Sequence, residues 1–417
     1  MSSPAEYIPR LVDRELRDLL KTMGGVVIEG PRACGKKVTG RHHARSEVLL
    51  DVDANARRLI ALDPRLVLQG LVPRLIDEWQ LEPEIWNHIR RAIDERRDAG
   101  QFILTGSARP ADDITRHSGA GRIGRLRMRP LSLYEAGIGT GEVSIGALLD
   151  CEGVSAGELK WSLQDLTQAL TRGGWPAFRN LGSTEAAAAV RSYLDEIKRA
   201  DISRLGGREH DPVFLDRAMR SLARNTATTA SIATITTDIA GEDGPKDPDT
   251  IRSYMDTLER IMIVEDQPAF APKLRSRSRL RRAPKRHFVD PSLAVAALGA
   301  TPERLIGDLE HLGTLFESLV VRDLRIHAQV NEAKVYHYRD STDLEVDAVI
   351  ETLDGRWAAF EIKLGDRRID QAAKSLLTFR DRIDSPHTGF LGVIVSAGYS
   401  YMRPDGVAVI AVRALGP

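Results

Sequence analysis

The sequence predicts an α/β protein with a phosphate-loop domain on a mainly parallel sheet, a helical middle and a small α/β C-terminal unit. Three observations predict this. Short apolar runs at 26–28, 48–50, 74–76 and 102–104 alternate with polar helical stretches across residues 7–140, the rhythm of buried strands under crossover helices. The first run, Val26-Val27-Ile28-Glu29, opens straight into Gly30-Pro31-Arg32-Ala33-Cys34-Gly35-Lys36-Lys37. From about residue 302 the pattern becomes helix, strand, strand, helix, strand, after a mostly helical stretch.

Bulk properties bound the rest. At 417 residues the chain has room for two to four domains, each able to bury its own core. The boundaries read as 1–157 for the nucleotide-binding domain, 158–300 for the helical middle and 301–417 for the last unit. Lys+Arg and Asp+Glu both total 59, so any charged binding surface must be local. Cys34 and Cys151 are the only cysteines, too few for a disulfide framework or a cysteine-rich zinc site. No apolar run reaches the ~18 residues of a membrane span. The opening Met-Ser-Ser-Pro-Ala-Glu lacks a signal-peptide pattern. A cytoplasmic protein without membrane contact is therefore expected.

Pro9 to Leu20 reads as a helix with Leu11, Val12, Leu16, Leu19 and Leu20 at helical spacing. After it, Gly30 through Lys37 has the glycine spacing and the lysine, Lys36, of a phosphate-cradling loop. Small residues there let backbone N–H groups converge on a phosphate chain at the positive end of the next helix. Gly30, Pro31, Arg32, Ala33, Cys34, Gly35, Lys36 and Lys37 are the expected nucleotide contacts, with ATP as ligand.

Leu75-Ile76-Asp77-Glu78 is an apolar strand ending in two carboxylates. An ATPase needs such a pair: Asp77 to orient a Mg²⁺ shell and Glu78 to polarise the attacking water. Phe102-Ile103-Leu104-Thr105 runs to Gly106-Ser107, where Ser107 would sense the γ-phosphate. Arg122, with Arg125 and Arg127 as alternatives, could serve as an arginine finger on a neighbouring copy, which implies a homo-oligomer. Lys37 stands where such loops place the Ser or Thr that holds Mg²⁺, and an ammonium cannot ligate a cation. Thr39 points about 200° away from that position on a helix. The expectation is ATP binding with slow turnover.

In the middle, Phe214–Ala223, Ala230–Ala240 and Asp247–Arg260 read as three helices, and Ile261–Val264 with Arg286–Val289 as two strands of a wing. The third helix would bury Ile251, Tyr254, Met255 and Leu258 and present Arg252, Ser253 and Asp256, the geometry of a recognition helix. Lys273 to His287 holds eight Lys or Arg in fifteen residues and no acid. Lys273, Arg275, Arg277, Arg279, Arg281, Arg282, Lys285 and Arg286 are the expected contacts to nucleic acid, duplex DNA in particular.

In the last unit, Glu345 to Ile350 alternates polar and apolar, turns at Asp354-Gly355 and returns through Trp357 to Lys363. Such a hairpin brings Asp347 near Glu361 and Lys363, two carboxylates for a metal and a lysine for a pentavalent phosphate. This pattern resembles the core of restriction-endonuclease-like nucleases. Glu317 and Gln371 sit in the flanking helices where that superfamily often has supporting polar residues.

Several motifs follow one another at familiar spacings: Tyr7-Ile8-Pro9-Arg10, the Gly30–Lys36 loop, Leu75-Ile76-Asp77-Glu78-Trp79-Gln80, Leu104-Thr105-Gly106-Ser107, Ser118-Gly119-Ala120-Gly121-Arg122 and Arg129-Pro130-Leu131-Ser132. Together they resemble the prokaryotic AAA-type ATPases that carry a C-terminal domain of unknown function. Gly173-Gly174-Trp175-Pro176 resembles the opening of that second part. The resemblance implies an ATP-binding sheet, a winged-helix middle and a nuclease-like C-terminal fold; Lys37 departs from it, since the family pattern expects Thr. Two functions are compatible: nucleotide-controlled DNA engagement with slow or DNA-stimulated hydrolysis and metal-dependent cleavage, or a non-enzymatic, nucleotide-gated regulatory protein.

Overall fold

The computed structural model describes residues 7–106, 118–201, 212–240, 248–271, 283–383, 385 and 387–417. The chain forms two compact units: residues 1–130 with 260–262, and the remainder. It is a mixed α/β protein with two main sheets and many helical segments.

The first unit is built on a five-stranded parallel sheet: β1 (Gly25–Glu29), β2 (Ser46–Leu49), β3 (Arg74–Asp77), β4 (Phe102–Gly106) and β5 (Ile123–Arg127) in the order β2-β3-β4-β1-β5. β1 and β4 are buried at every position, as expected of strands covered on both faces. Leu16, Val26, Ile28, Leu75, Ile103 and Leu126 form one core cluster; Val27, Ile76, Phe102 and Leu104 belong to another. Four strands and the first helix (Val12–Thr22) coincide with the apolar runs. β5 does not read as a strand from sequence, because only Ile123 and Leu126 interrupt its glycine and arginines.

In the second unit a seven-stranded sheet runs β7-β12-β13-β11-β10-β9-β8. Its members are β7 (Ser155–Leu159), β8 (Ala333–Arg339), β9 (Glu345–Thr352), β10 (Trp357–Lys363), β11 (Phe390–Val395), β12 (Gly398–Met402) and β13 (Ala408–Ala411). β8, β9 and β10 form an antiparallel meander, and β10, β11 and β13 are parallel neighbours. A separate two-residue pairing joins β6 (Val143–Ser144) to β14 (Leu415–Gly416). The chain thus leaves the first unit at Pro130, and β7 straddles the expected boundary at 157 while pairing with β12. The unit from 302 onward is also richer in strands than its sequence rhythm suggests.

Three helices, Pro212–Arg224, Ile232–Ile239 and Pro248–Arg260, stand close to the expected ranges. In the last, Ile251, Tyr254, Met255 and Leu258 are buried, and Arg252, Ser253 and Asp256 are exposed, as the periodicity requires. The segments after it pair through isolated antiparallel bridges, Val264 with Phe288 and Gln267 with Lys285.

Gly173-Gly174-Trp175 owes its composition to close packing. A Cβ on Gly174 would lie 2.2 Å from the Leu131 carbonyl oxygen, and Gly173 has φ +69°. The Gly174 N–H donates to Asp290 (2.9 Å), and the buried Trp175 indole donates to Ser292 (3.0 Å). Asp290 in turn receives the Arg322 guanidinium at 2.8 Å, and Arg322 also pairs with Asp323 at 2.7 Å. The Asp323 carboxylate accepts the Leu133 N–H at 2.9 Å.

Candidate functional site: a phosphate loop and a carboxylate cluster

The loop after β1 is held from below. Arg10 donates to the Cys34 carbonyl and the Arg129 carbonyl, both at 2.8 Å, and its own N–H caps onto Asp13. Tyr7 and His43 also bond to Asp13, at 2.6 and 3.1 Å. Gly30 is needed for space, since a Cβ there would lie 2.2 Å from the Met128 carbonyl oxygen. Ala33 and Gly35 take left-handed backbone, φ 59° and 106°, and Gly35 begins the helix Lys36–His43. The N–H groups at such a helix start have no partner inside the helix. Lys36 is buried, its ammonium donating to the carbonyls of Gly30 (2.8 Å) and Pro31 (2.6 Å).

β4 lies between β1 and β3 in the sheet, and Asp77 closes β3. One Asp77 oxygen accepts the Thr105 hydroxyl at 2.6 Å. The other faces the Lys37 ammonium at 3.0 Å. This pairing tests whether Mg²⁺ fits. A Mg²⁺ ion needs oxygen ligands in near-octahedral array, yet the position that would offer a hydroxyl offers an ammonium, already bound to the carboxylate that would orient the metal's shell. Thr39 is buried, with its hydroxyl 3.4 Å from Tyr7. The protein groups at this site therefore do not fit Mg²⁺.

Glu78 follows with φ 56°, a conformation a glutamate adopts only where its surroundings impose it. Its carboxylate accepts from the Gln80 amide. A Cβ on Gly106 would lie 2.4 Å from the Gln80 side-chain amide oxygen Oε1, so the Gln80 side chain reaches the end of β4, a role the sequence reading did not give it. Ser107 lies outside the described residues. Arg122 is engaged by Asp94 at 2.6 Å, and Arg125 pairs with Glu29 at the end of β1.

In the second unit the hairpin β9–β10 turns at residues 353–356, with Gly355 at φ 88°. It brings Asp347, Glu361 and Lys363 together. Lys363 lies 3.0 Å from Asp347 and 2.6 Å from Glu361, and the Ile362 N–H donates to Asp347 at 2.8 Å. Glu317, on the helix Leu309–Val330, joins them through Lys285. The Lys285 ammonium is 2.7 Å from Glu317, 2.8 Å from Glu345 and 3.3 Å from Asp347, with its side chain 2% exposed.

Residues 24–137 match the family model described as an AAA domain. The first unit is a P-loop domain of the AAA type. Residues 163–304 and 312–415 match two families described as domains of unknown function, DUF8612 and DUF4143. Among solved structures, a Walker-type ATPase of Pyrococcus abyssi is similar at 13% identity and a TM-score of 0.41, over 68% of this chain and 94% of that chain. No curated protein matches the chain.

In the AAA unit, then, the phosphate loop and the acidic strand end meet through the Lys37–Asp77 ion pair. For the basic stretch, Lys273, Arg275, Arg277, Arg279, Arg281 and Arg282 lie outside the described residues. Lys285 and Arg286 are described and correct the expectation of an exposed wing. Lys285 is buried among carboxylates; Arg286 is buried too, paired with Asp266 and donating to the Ala230 carbonyl at 3.2 Å. Alternation of charge alone does not distinguish a solvated face from one turned toward buried acids. Among the described residues no helix is long and apolar enough to cross a membrane.

The carboxylate cluster carries a pH signature. Burial, reinforced by Asp347, pushes the Glu361 carboxyl up to about 8 against the pull of Lys363. Burial also lifts Glu317 to about 7 against Lys285. Asp347 goes the other way, to about 2: burial opposes ionisation, but Lys285, Lys363 and the Ile362 N–H outweigh it. Between the ordinary glutamate value of 4.5 and these raised values, the unfolded chain binds fewer protons than the folded one. This contribution is thus full below the ordinary value and is lost as pH rises through about 7 to 8. Stability should fall by about 1 kcal/mol per pH unit per group in that window. Thermal midpoints should drop from pH 5 to pH 8, and Glu361→Gln should flatten the slope; equal slopes in both proteins would show that Glu361 is ionised throughout.

Proposed function

We propose that the protein is a nucleotide-gated switch: ATP binds the AAA unit, turnover is slow, and nucleotide state sets the engagement of duplex DNA. One observation carries this reading, the Lys37 ammonium 3.0 Å from Asp77. Bound phosphates would lie against the N–H groups of residues 32–36, with Lys36 swinging off the Gly30 and Pro31 carbonyls toward them. Lys37 supplies positive charge beside them without offering an oxygen to a metal, so charge is neutralised while turnover stays slow. Calorimetry with ATP and with ADP tests the reading on the full chain. Both should bind, with phosphate release slow against dissociation; binding of neither nucleotide would end it.

The DNA arm rests on charge. Eight Lys or Arg in fifteen residues stand in an otherwise balanced chain; Lys285 and Arg286 have intramolecular partners, leaving the six from Lys273 to Arg282 as candidates. Six phosphate contacts predict a loss of roughly a thousandfold in duplex affinity between about 50 and 200 mM salt. A flat response in fluorescence anisotropy would remove the DNA arm and leave the nucleotide switch intact. An oligomer with an arginine finger in trans is part of this reading only if Arg122 leaves Asp94 on assembly.

A further inference from the structure

The carboxylate cluster of the second unit contains a cation of its own. Glu345 and Asp347 are two residues apart on β9, so their side chains leave the same face of the strand, and Glu317 approaches from the helix Leu309–Val330. The Lys285 ammonium meets one oxygen of each, at 2.7, 2.8 and 3.3 Å. An ammonium has three protons, and here three carboxylates receive them.

Lys285 is fixed there by its backbone and neighbours. It exchanges both backbone hydrogen bonds with Gln267, at 2.9 and 3.0 Å. The Gln267 amide donates to the backbone carbonyls of Tyr336 (2.9 Å) and Asp347 (3.0 Å). Two residues on, the His287 ring bonds to Ser318 at 3.1 Å and to Gln267 at 3.2 Å. Gln267, His287 and Ser318 are all buried. The lysine is thus part of a closed polar network that joins its own segment to β9 and to the helix that carries Glu317.

A hydrolytic metal centre on this hairpin would draw on Asp347, whose oxygens are held by Lys285 on one side and by Lys363 and the Ile362 N–H on the other, and on Glu361, which pairs with Lys363. A divalent ion binding Asp347 and Glu317 would have to expel Lys285 and leave a buried ammonium without its carboxylates, and breaking such a pair is strongly unfavourable. Among the described residues no group of three or more His, Cys, Asp or Glu is arranged to hold a metal.

We propose that Lys285 is the resident cation of this cluster, standing in the place of a divalent metal, so that the hairpin binds no metal and fastens the end of the basic stretch to the C-terminal sheet. The reading is independent of the nucleotide switch, since it concerns other residues in the other unit. Mn²⁺ binding to the nucleotide-free full chain, followed by electron paramagnetic resonance of free Mn²⁺, tests it. Wild type and Asp347→Asn should retain equal Mn²⁺, and Lys285→Met should gain about one further equivalent, removed again by adding Asp347→Asn. The proposal is overturned if wild type holds an equivalent that Asp347→Asn loses, or if it nicks plasmid DNA with Mn²⁺ and Asp347→Asn does not. Should Lys285→Met fail to fold, the comparison of wild type with Asp347→Asn decides alone.

Discussion

A Lys37→Thr variant is expected to hydrolyse ATP at least ~10-fold faster than the natural protein, about 1.4 kcal/mol off the barrier, and to require Mg²⁺ for that gain. The substitution does two things at one position. It frees the Asp77 oxygen now 3.0 Å from the ammonium, and it supplies a hydroxyl as a metal ligand. Lys37→Ala separates the two, because it frees Asp77 without adding the ligand, and should gain less. Phosphate release measured with Mg²⁺ and with EDTA checks both variants. Equal rates for wild type and Lys37→Thr would mean that the ion pair does not limit turnover.

The largest loss of stability is expected at Arg322. Its guanidinium is buried with Asp290 and Asp323, and the two carboxylates hold it in the charged form against burial. Arg322→Leu would leave two buried carboxylates facing an apolar side chain, a change worth about 3–5 kcal/mol. Asp290 would keep the Gly174 and Ser292 N–H groups and Asp323 the Leu133 N–H, so partial relief is expected rather than collapse of each contact. Urea unfolding of the variant measures the loss. Adding Asp290→Asn should recover part of it, and a loss under about 1 kcal/mol would show that the carboxylates find other partners or protons.

The phosphate loop was legible because its signal is local: a strand, two glycines at fixed spacing and a lysine lie within a dozen consecutive residues. The buried stripe of the helix Pro248–Arg260 was legible for the same reason, as was the turn at Gly355. Lys37 could be recognised as out of place, but not as the partner of Asp77, since that pairing depends on how the helix Lys36–His43 sits over β3. Lys285 was misread because a run of positive charge looks the same whether it faces water or carboxylates. Its spacing from His287, two residues along an extended segment, was the available hint that both point inward. β7 gave no signal, since Ser-Ala-Gly-Glu-Leu has neither apolar alternation nor β-branched residues.

The pairing of β7 with β12 bears on how the protein can be divided. A fragment cut to begin at residue 163 or 312, where the second and third family matches start, would lack β7 altogether. It would bare the flank of β12, whose Tyr399 and Tyr401 side chains are already exposed. An uncovered strand with aromatic side chains invites pairing between copies, so such fragments would self-associate. Pieces meant to report on the seven-stranded sheet in isolation should start ahead of Ser155.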